Sequence, residues 1–133
     1  MPKDRPAPDA PAPLVPLVDA HTHLDACGAT DAAGVAAVLD RAEAVGVSRV
    51  VTVADDLAAA RFAVEAAHWD SRVWAAVAIH PTRANVLTDE VKAEVESLAR
   101  DRRVVAVGET GLDYYWPGKL DGCASVEDQI EGF

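Results

Sequence analysis

Nearly continuous Val/Ala runs, separated by stretches whose apolar residues recur at helical spacing, leave this chain few folds to adopt. Val73 to Ile79 is the clearest run, Ser48 to Val53 and Val104 to Val107 are shorter ones, and a first strand is expected from Leu17 to Leu24. Between them, Val35, Val38, Leu39, Ala42 and Val45 lie on one helical face that Gly46 ends, with Thr30 or Asp31 as the N-cap. Leu57, Ala60, Val64 and Ala67 mark a second helix opened by Asp55 or Asp56. Val91, Val95 and Leu98 mark a third, opened by Thr88 with Asp89 and Glu90 at the positive end of its dipole. The order is βαβαβαβ. Strands with so little polar alternation are buried, and parallel neighbours need helical crossovers, so the fold class is α/β with parallel (β/α) units.

The 133 residues suffice for one domain with a core, expected over 17–133. Residues 1–16 hold six of the eight prolines, interleaved with alanine and charge, and are expected to form a disordered Pro/Ala-rich extension. That stretch lacks the apolar segment of a secretory signal, and no apolar run approaches the roughly 20 residues that span a bilayer. A cytoplasmic location without membrane attachment is expected. The two cysteines, Cys27 and Cys123, have neither CxxC spacing nor the density of a disulfide scaffold. Cys27 lies close behind the first strand and reads as a small, partly buried residue rather than a thiolate ligand. The net charge of −10 disfavours non-specific nucleic-acid binding through a broad basic surface, so a phosphate-bearing substrate needs local help from metal ions or a few basic side chains.

Asp19-Ala-His21-Thr-His23-Leu-Asp25 closes the first strand. Residues i and i+2 of a strand share a face, so His21 and His23 aim two imidazoles at one spot, a metal-binding geometry; a simple exposed strand end carries the same pattern. Glu109, in Gly108-Glu-Thr-Gly-Leu-Asp-Tyr-Tyr just past the fourth strand, can place a carboxylate beside two imidazoles or act as a cap or surface acid. His80 precedes Pro81, which holds it extended at the end of the third strand. It is read as a substrate contact or a group behind the ligands, in preference to a histidine that only shapes the turn. Arg83 fits bidentate phosphate pairing and a solvated surface arginine equally well. Asp113 and Tyr114 are weaker candidates, and His68, at the far end of the second helix, reads as a dipole-compensating or packing residue. All four leading residues fall at C-terminal strand ends, where parallel α/β proteins place their chemistry.

The blocks Val18-Asp19-Ala20-His21-Thr22-His23-Leu24-Asp25, Ala78-Ile79-His80-Pro81 and Val107-Gly108-Glu109-Thr110-Gly111-Leu112-Asp113-Tyr114-Tyr115 together resemble the TatD family of metal-dependent deoxyribonucleases. The resemblance runs from about Leu17 to Phe133, with Gln129 and Phe133 at the start of the helix that follows the fourth strand. It implies the first half of a TIM (β/α)8 barrel, a fold of about 250 residues, so the chain is expected to be a truncated N-terminal half. It further implies a centre for two divalent ions (Zn, Mg or Mn), with His21 and His23 on one ion and Glu109 bridging or shared between ions. On the reading of the residues themselves, Glu109 and His80 are the catalytic candidates, and His80 with Arg83 the substrate-binding ones. The second-half ligands are not in this chain, so at most partial metal binding and reduced activity are expected.

The implied reaction is hydrolysis of a phosphodiester by metal-activated water, with DNA as the leading substrate. Another ester, such as D-aminoacyl-tRNA, is the alternative substrate class. A different kind of reading makes the chain a non-catalytic remnant or interaction module, because four βα units leave two sheet edges and an inner face open to partners, the missing half-barrel among them.

Overall fold

The computed structural model describes residues 8–13 and 15–133. The part of the expected disordered extension at residues 1–7 and 14 lies outside the described residues; residues 8–13, 15 and 16 are exposed and carry neither helix nor strand. Four strands, β1 (Leu17–Thr22), β2 (Val47–Val53), β3 (Val73–Val77) and β4 (Val104–Val107), form one sheet in the order β1-β2-β3-β4. Every neighbouring pair is parallel. Helices α1 (Ala32–Ala44), α2 (Leu57–Trp69) and α3 (Asp89–Ala99) make the crossovers, and α4 (Val126–Gly132) follows β4. This is the arrangement of the first half of a (β/α)8 barrel.

The helix starts follow the capping chemistry written in the sequence. Asp31 accepts from the Gly34 N–H, Asp56 from the Ala59 N–H and Thr88 from the Val91 N–H, each filling one orphan donor of a first turn. Ser125 and Asp128 form a reciprocal capping box on α4. Gly46 ends the α1 connection with φ +96°, and a Cβ there would sit 3.1 Å from the Val15 carbonyl oxygen and 3.2 Å from Pro13 Cβ. Only glycine meets both demands.

β2 begins one residue early, at Val47 instead of Ser48, and two strand ends differ from the expectation. β1 stops at Thr22 instead of Leu24, because the chain turns inward there: Leu24 is buried and its N–H is taken by the Thr52 hydroxyl at 3.3 Å. β3 stops at Val77 instead of Ile79, and a 3-10 helix absent from the periodicity follows at Pro81–Val86. Proline at its first position removes an N–H that has no helical partner in any case, and the His80 ring caps the turn by accepting from the Thr82 N–H. Cys27 is exposed, which corrects its reading as a partly buried residue; it sits on the tight turn whose bonds run from the Cys27 N–H to the His23 carbonyl and from the Gly28 N–H to the Asp25 carbonyl.

The core lies between the central strands and the first two helices. Val50, Val73 and Ala75 pack against Val35 and Leu39 of α1 and Ala63, Ala66 and Ala67 of α2. Alanine lets α2 approach the sheet closely, while Leu39 fills the remaining space and contributes about 1.5–3 kcal/mol by burial. The edge strands differ: Leu17 and Val18 of β1 and Val105 and Val107 of β4 are all more than half exposed. No helix among the described residues is long and apolar enough to cross a membrane.

Charged clamps hold the face away from the strand C-termini. The Arg72 guanidinium binds Asp70, Asp40 and Glu43, tying the α2–β3 turn to α1. Arg103 donates to the Ala67 carbonyl at the negative end of α2 and to the Ser71 and Val73 carbonyls beyond it, and stacks 3.8 Å over the Trp74 ring.

The hydrogen bond from Arg72 holds the half-buried Asp70 carboxyl below its ordinary pKa. A carboxyl whose folded pKa is depressed stabilises above its unfolded pKa, and the contribution disappears as pH falls through the folded value. Asp70→Asn is therefore expected to lose about 1 kcal/mol at neutral pH and to converge on the parent in acid. Urea unfolding at both pH values checks this, and equal neutral-pH stability would rule the clamp out.

Candidate metal centre

The rim formed by the strand C-termini collects the chemistry. In a flat sheet β1 and β4 would stand three spacings, roughly 14 Å, apart. Here the sheet curls enough for His21 Nε2, from β1, to lie 3.3 Å from Glu109 Oε2, which follows β4. His23 completes the group: one ligand atom from each of His21, His23 and Glu109 falls within 4.8 Å of the others. Three such atoms can converge on one ion, and two imidazoles with a carboxylate suit zinc or another borderline divalent metal. Among the described residues this is the group of His, Cys, Asp and Glu so arranged.

The backbone around the rim decides the state of each imidazole. His23 Nδ1 lies 2.8 Å from the Val53 carbonyl oxygen, which only accepts, so Nδ1 carries the proton and Nε2 presents its lone pair. A histidine ligand held through its other ring nitrogen by a backbone carbonyl is oriented for a metal in this way. His80 is set the opposite way. Its Nδ1 accepts from the Thr82 N–H at 3.2 Å and lies 2.7 Å from the Thr82 hydroxyl, so in the neutral ring the proton is on Nε2. That nitrogen faces Glu109 Oε1 at 3.6 Å. Glu109 thus stands between His21 on one oxygen and His80 on the other.

His80 lies beside the three-residue group, behind the carboxylate. It also lines a cleft of about 320 Å³ with Asp55, Thr82, Arg83, Asp121 and Cys123. Arg83 borders this cleft, and its guanidinium lies 3.6 Å from the Asp56 carboxylate that caps α2. Asp113 uses its carboxylate locally, accepting from the Tyr115 and Trp116 N–H groups, and Tyr114 is exposed. His68 is away from the rim, paired with Asp101 at 2.9 Å, and this hydrogen bond lowers the Asp101 pKa.

Two residues have contacts here that the sequence does not suggest: Asp55, expected only as a possible helix cap, and Gln129, expected only as part of the last helix. Asp55 lies 3.7 Å from His23 Nδ1, and its backbone carbonyl accepts the His80 N–H at 2.8 Å. The signal was the pair Asp55-Asp56: a helix uses one N-cap, and Asp56 fills it, leaving Asp55 for the rim. Gln129, 2 % exposed, bonds the backbone of Asp113 from α4. Its spacing within a short helix carries no mark of that contact.

The chain is also similar in sequence to known proteins. Residues 18–133 match the family described as TatD related DNase. The chain is 63% identical over 117 residues to an uncharacterized metal-dependent hydrolase TatD of Mycobacterium tuberculosis, an alignment covering 88% of this chain and 44% of the relative. It is 38% identical over 101 residues to the metal-dependent hydrolase YabD of Bacillus subtilis, covering 75% and 38%. A protein of Cronobacter sakazakii named 3'-5' ssDNA/RNA exonuclease TatD is 34% identical over 77 residues, covering 58% and 29%. The chain therefore spans less than half the length of the curated relatives it matches.

Thr52 anchors the segment that carries His23. Thr52→Val keeps the shape and leaves the buried Leu24 N–H without a partner, at an expected cost of about 1–3 kcal/mol. Chemical denaturation measures this, and a change below the error of the method would show that the bond does not hold the turn.

Proposed function

The chain belongs to the TatD related DNase family, and from that membership together with the rim geometry we propose that it supplies the first-half metal centre of a metal-dependent phosphodiesterase acting on nucleic-acid ends. The observation that carries this reading is the convergence of His21, His23 and Glu109 within 4.8 Å. Metal dependence in the names of two relatives and single-stranded DNA or RNA in the name of a third support the choice of chemistry and substrate.

The donor set fits one divalent ion. His21 and His23 offer neutral nitrogens, Glu109 offers an anionic oxygen, and three protein ligands leave positions open for water and substrate. A divalent ion bound there supplies Lewis acidity toward a phosphoryl oxygen and makes a water more acidic. The protein's own part is positional and electrostatic. The Val53 carbonyl keeps the His23 lone pair aimed inward, and Glu109 balances positive charge at the rim. The His80 Nε2–H can donate to Glu109 or to a non-bridging phosphate oxygen, holding it in line without altering the ligands. Arg83 is assigned a lesser role in substrate binding, since Asp56 already shares its charge. A second ion, as the family resemblance implies, needs ligands beyond these three.

Calorimetric titration with Zn²⁺ and Mn²⁺ tests the reading. The parent chain is expected to take up about one ion, Glu109→Gln to bind at least about tenfold more weakly, and His21→Ala/His23→Ala to lose uptake. Metal-dependent shortening of a 5'-labelled single-stranded oligonucleotide is expected for the parent and not for the double variant. Zinc uptake unchanged in the double variant would falsify the centre, and shortening unaffected by chelator would remove the metal from the reaction.

A further inference from the structure

Gln129 is a polar side chain buried to 2 % exposure in a helix of seven residues, and every polar atom it carries is used. Its Oε1 accepts the Asp113 N–H at 2.6 Å, while its Nε2 donates to the Asp113 carbonyl at 3.0 Å and to the Ala124 carbonyl at 3.3 Å. One amide thus engages both backbone groups of a single residue, as a neighbouring strand would. That residue lies four positions after Glu109.

The contact closes a circuit around the rim. Upstream of Glu109, the Gly108 N–H donates to the Val77 carbonyl at 3.3 Å, so the chain is fixed to β3; downstream it is fixed at Asp113 by Gln129. Glu109 is carried on the short span between these two anchors. On the other side, the Ala124 N–H donates to the Thr82 carbonyl at 2.8 Å, and Thr82 holds the His80 ring. Gln129 therefore connects the segment bearing Glu109 to the segment bearing His80, the two groups that face each other at 3.6 Å. A buried amide bonded at all three points resists displacement, because moving it leaves a backbone N–H and two carbonyls unpaired at about 1–3 kcal/mol each.

From this geometry we infer that Gln129 is a positioning residue that sets the Glu109 carboxylate against His21, His23 and His80. The inference rests on the metal-centre reading above and adds to it a residue that touches neither metal nor substrate. Polar groups that orient metal ligands typically change metal affinity by about 10–100-fold when removed.

The test uses the full chain and Gln129→Met, which keeps the side-chain volume without the hydrogen bonds. Faster hydrogen exchange at the Asp113 amide, read by NMR on the metal-free protein, is expected. Zinc affinity is expected to fall about tenfold or more in the parent background and to change little in a Glu109→Gln background, since the residue acts through that carboxylate. Unchanged Asp113 exchange overturns the inference. So does an equal loss of zinc affinity in both backgrounds, the mark of a merely structural role. Should Gln129→Met lack a cooperative unfolding transition, Gln129→Asn carries the same comparison: it keeps an uncharged amide but draws it back by one methylene from the Asp113 backbone, and it is expected to show the same faster Asp113 exchange and the same background-dependent loss of zinc affinity. If the parent binds no zinc, the metal-centre reading fails, and the exchange measurement alone decides whether Gln129 fixes the loop.

Discussion

Val50, Val73 and Ala75 of the two central strands are pressed against Leu39 of α1 and Ala63, Ala66 and Ala67 of α2, and the geometry of the rim depends on that contact. The small residues of α2 let the helix sit close, and the β2–β3 register, Val50 opposite Val73 through Val53 opposite Ala76, runs without a break. The outer pairings are less regular, with shifts inside β1–β2 and inside β3–β4. A firm centre with yielding flanks is how a four-strand sheet bends until its first and last members carry side chains into contact.

The same centre explains how two histidines on one rim come to differ. Both are ordinary imidazoles, but the carbonyl of Val53 at the end of β2 accepts a hydrogen bond from Nδ1 of one, and the N–H of Thr82 beyond β3 donates a hydrogen bond to Nδ1 of the other. Their tautomers are thus set by backbone groups whose positions follow from strand length. A ligand and a hydrogen-bond donor arise from one residue type without any further specialised side chain.

Local and periodic features were legible in the residues. The four strands, the stripes of α1 and α2, and the caps Asp31, Asp56 and Thr88 follow from hydrophobic spacing and from side-chain oxygens at helix starts. His21, His23 and Glu109 were legible as a group because three blocks matched a family pattern; strand parity by itself paired only the histidines. What stayed hidden depends on contacts between residues distant in sequence. The inward turn at Leu24 needs Thr52, 28 residues away, and the Gln129 contact spans 16 residues to Asp113. The 3-10 helix after His80 is too short to have a period. Cys27 was misjudged because small size suggests burial, whereas its turn faces outward.

The exposure of Leu17, Val18, Val105 and Val107 along the two outermost strands has a colloidal consequence. Each margin offers peptide groups free to zip onto another ribbon, while ten surplus negative charges push approaching molecules apart. That repulsion reaches only about 8–10 Å at ordinary ionic strength. Concentrated salt, or acid that neutralises the carboxylates, weakens that barrier between approaching margins.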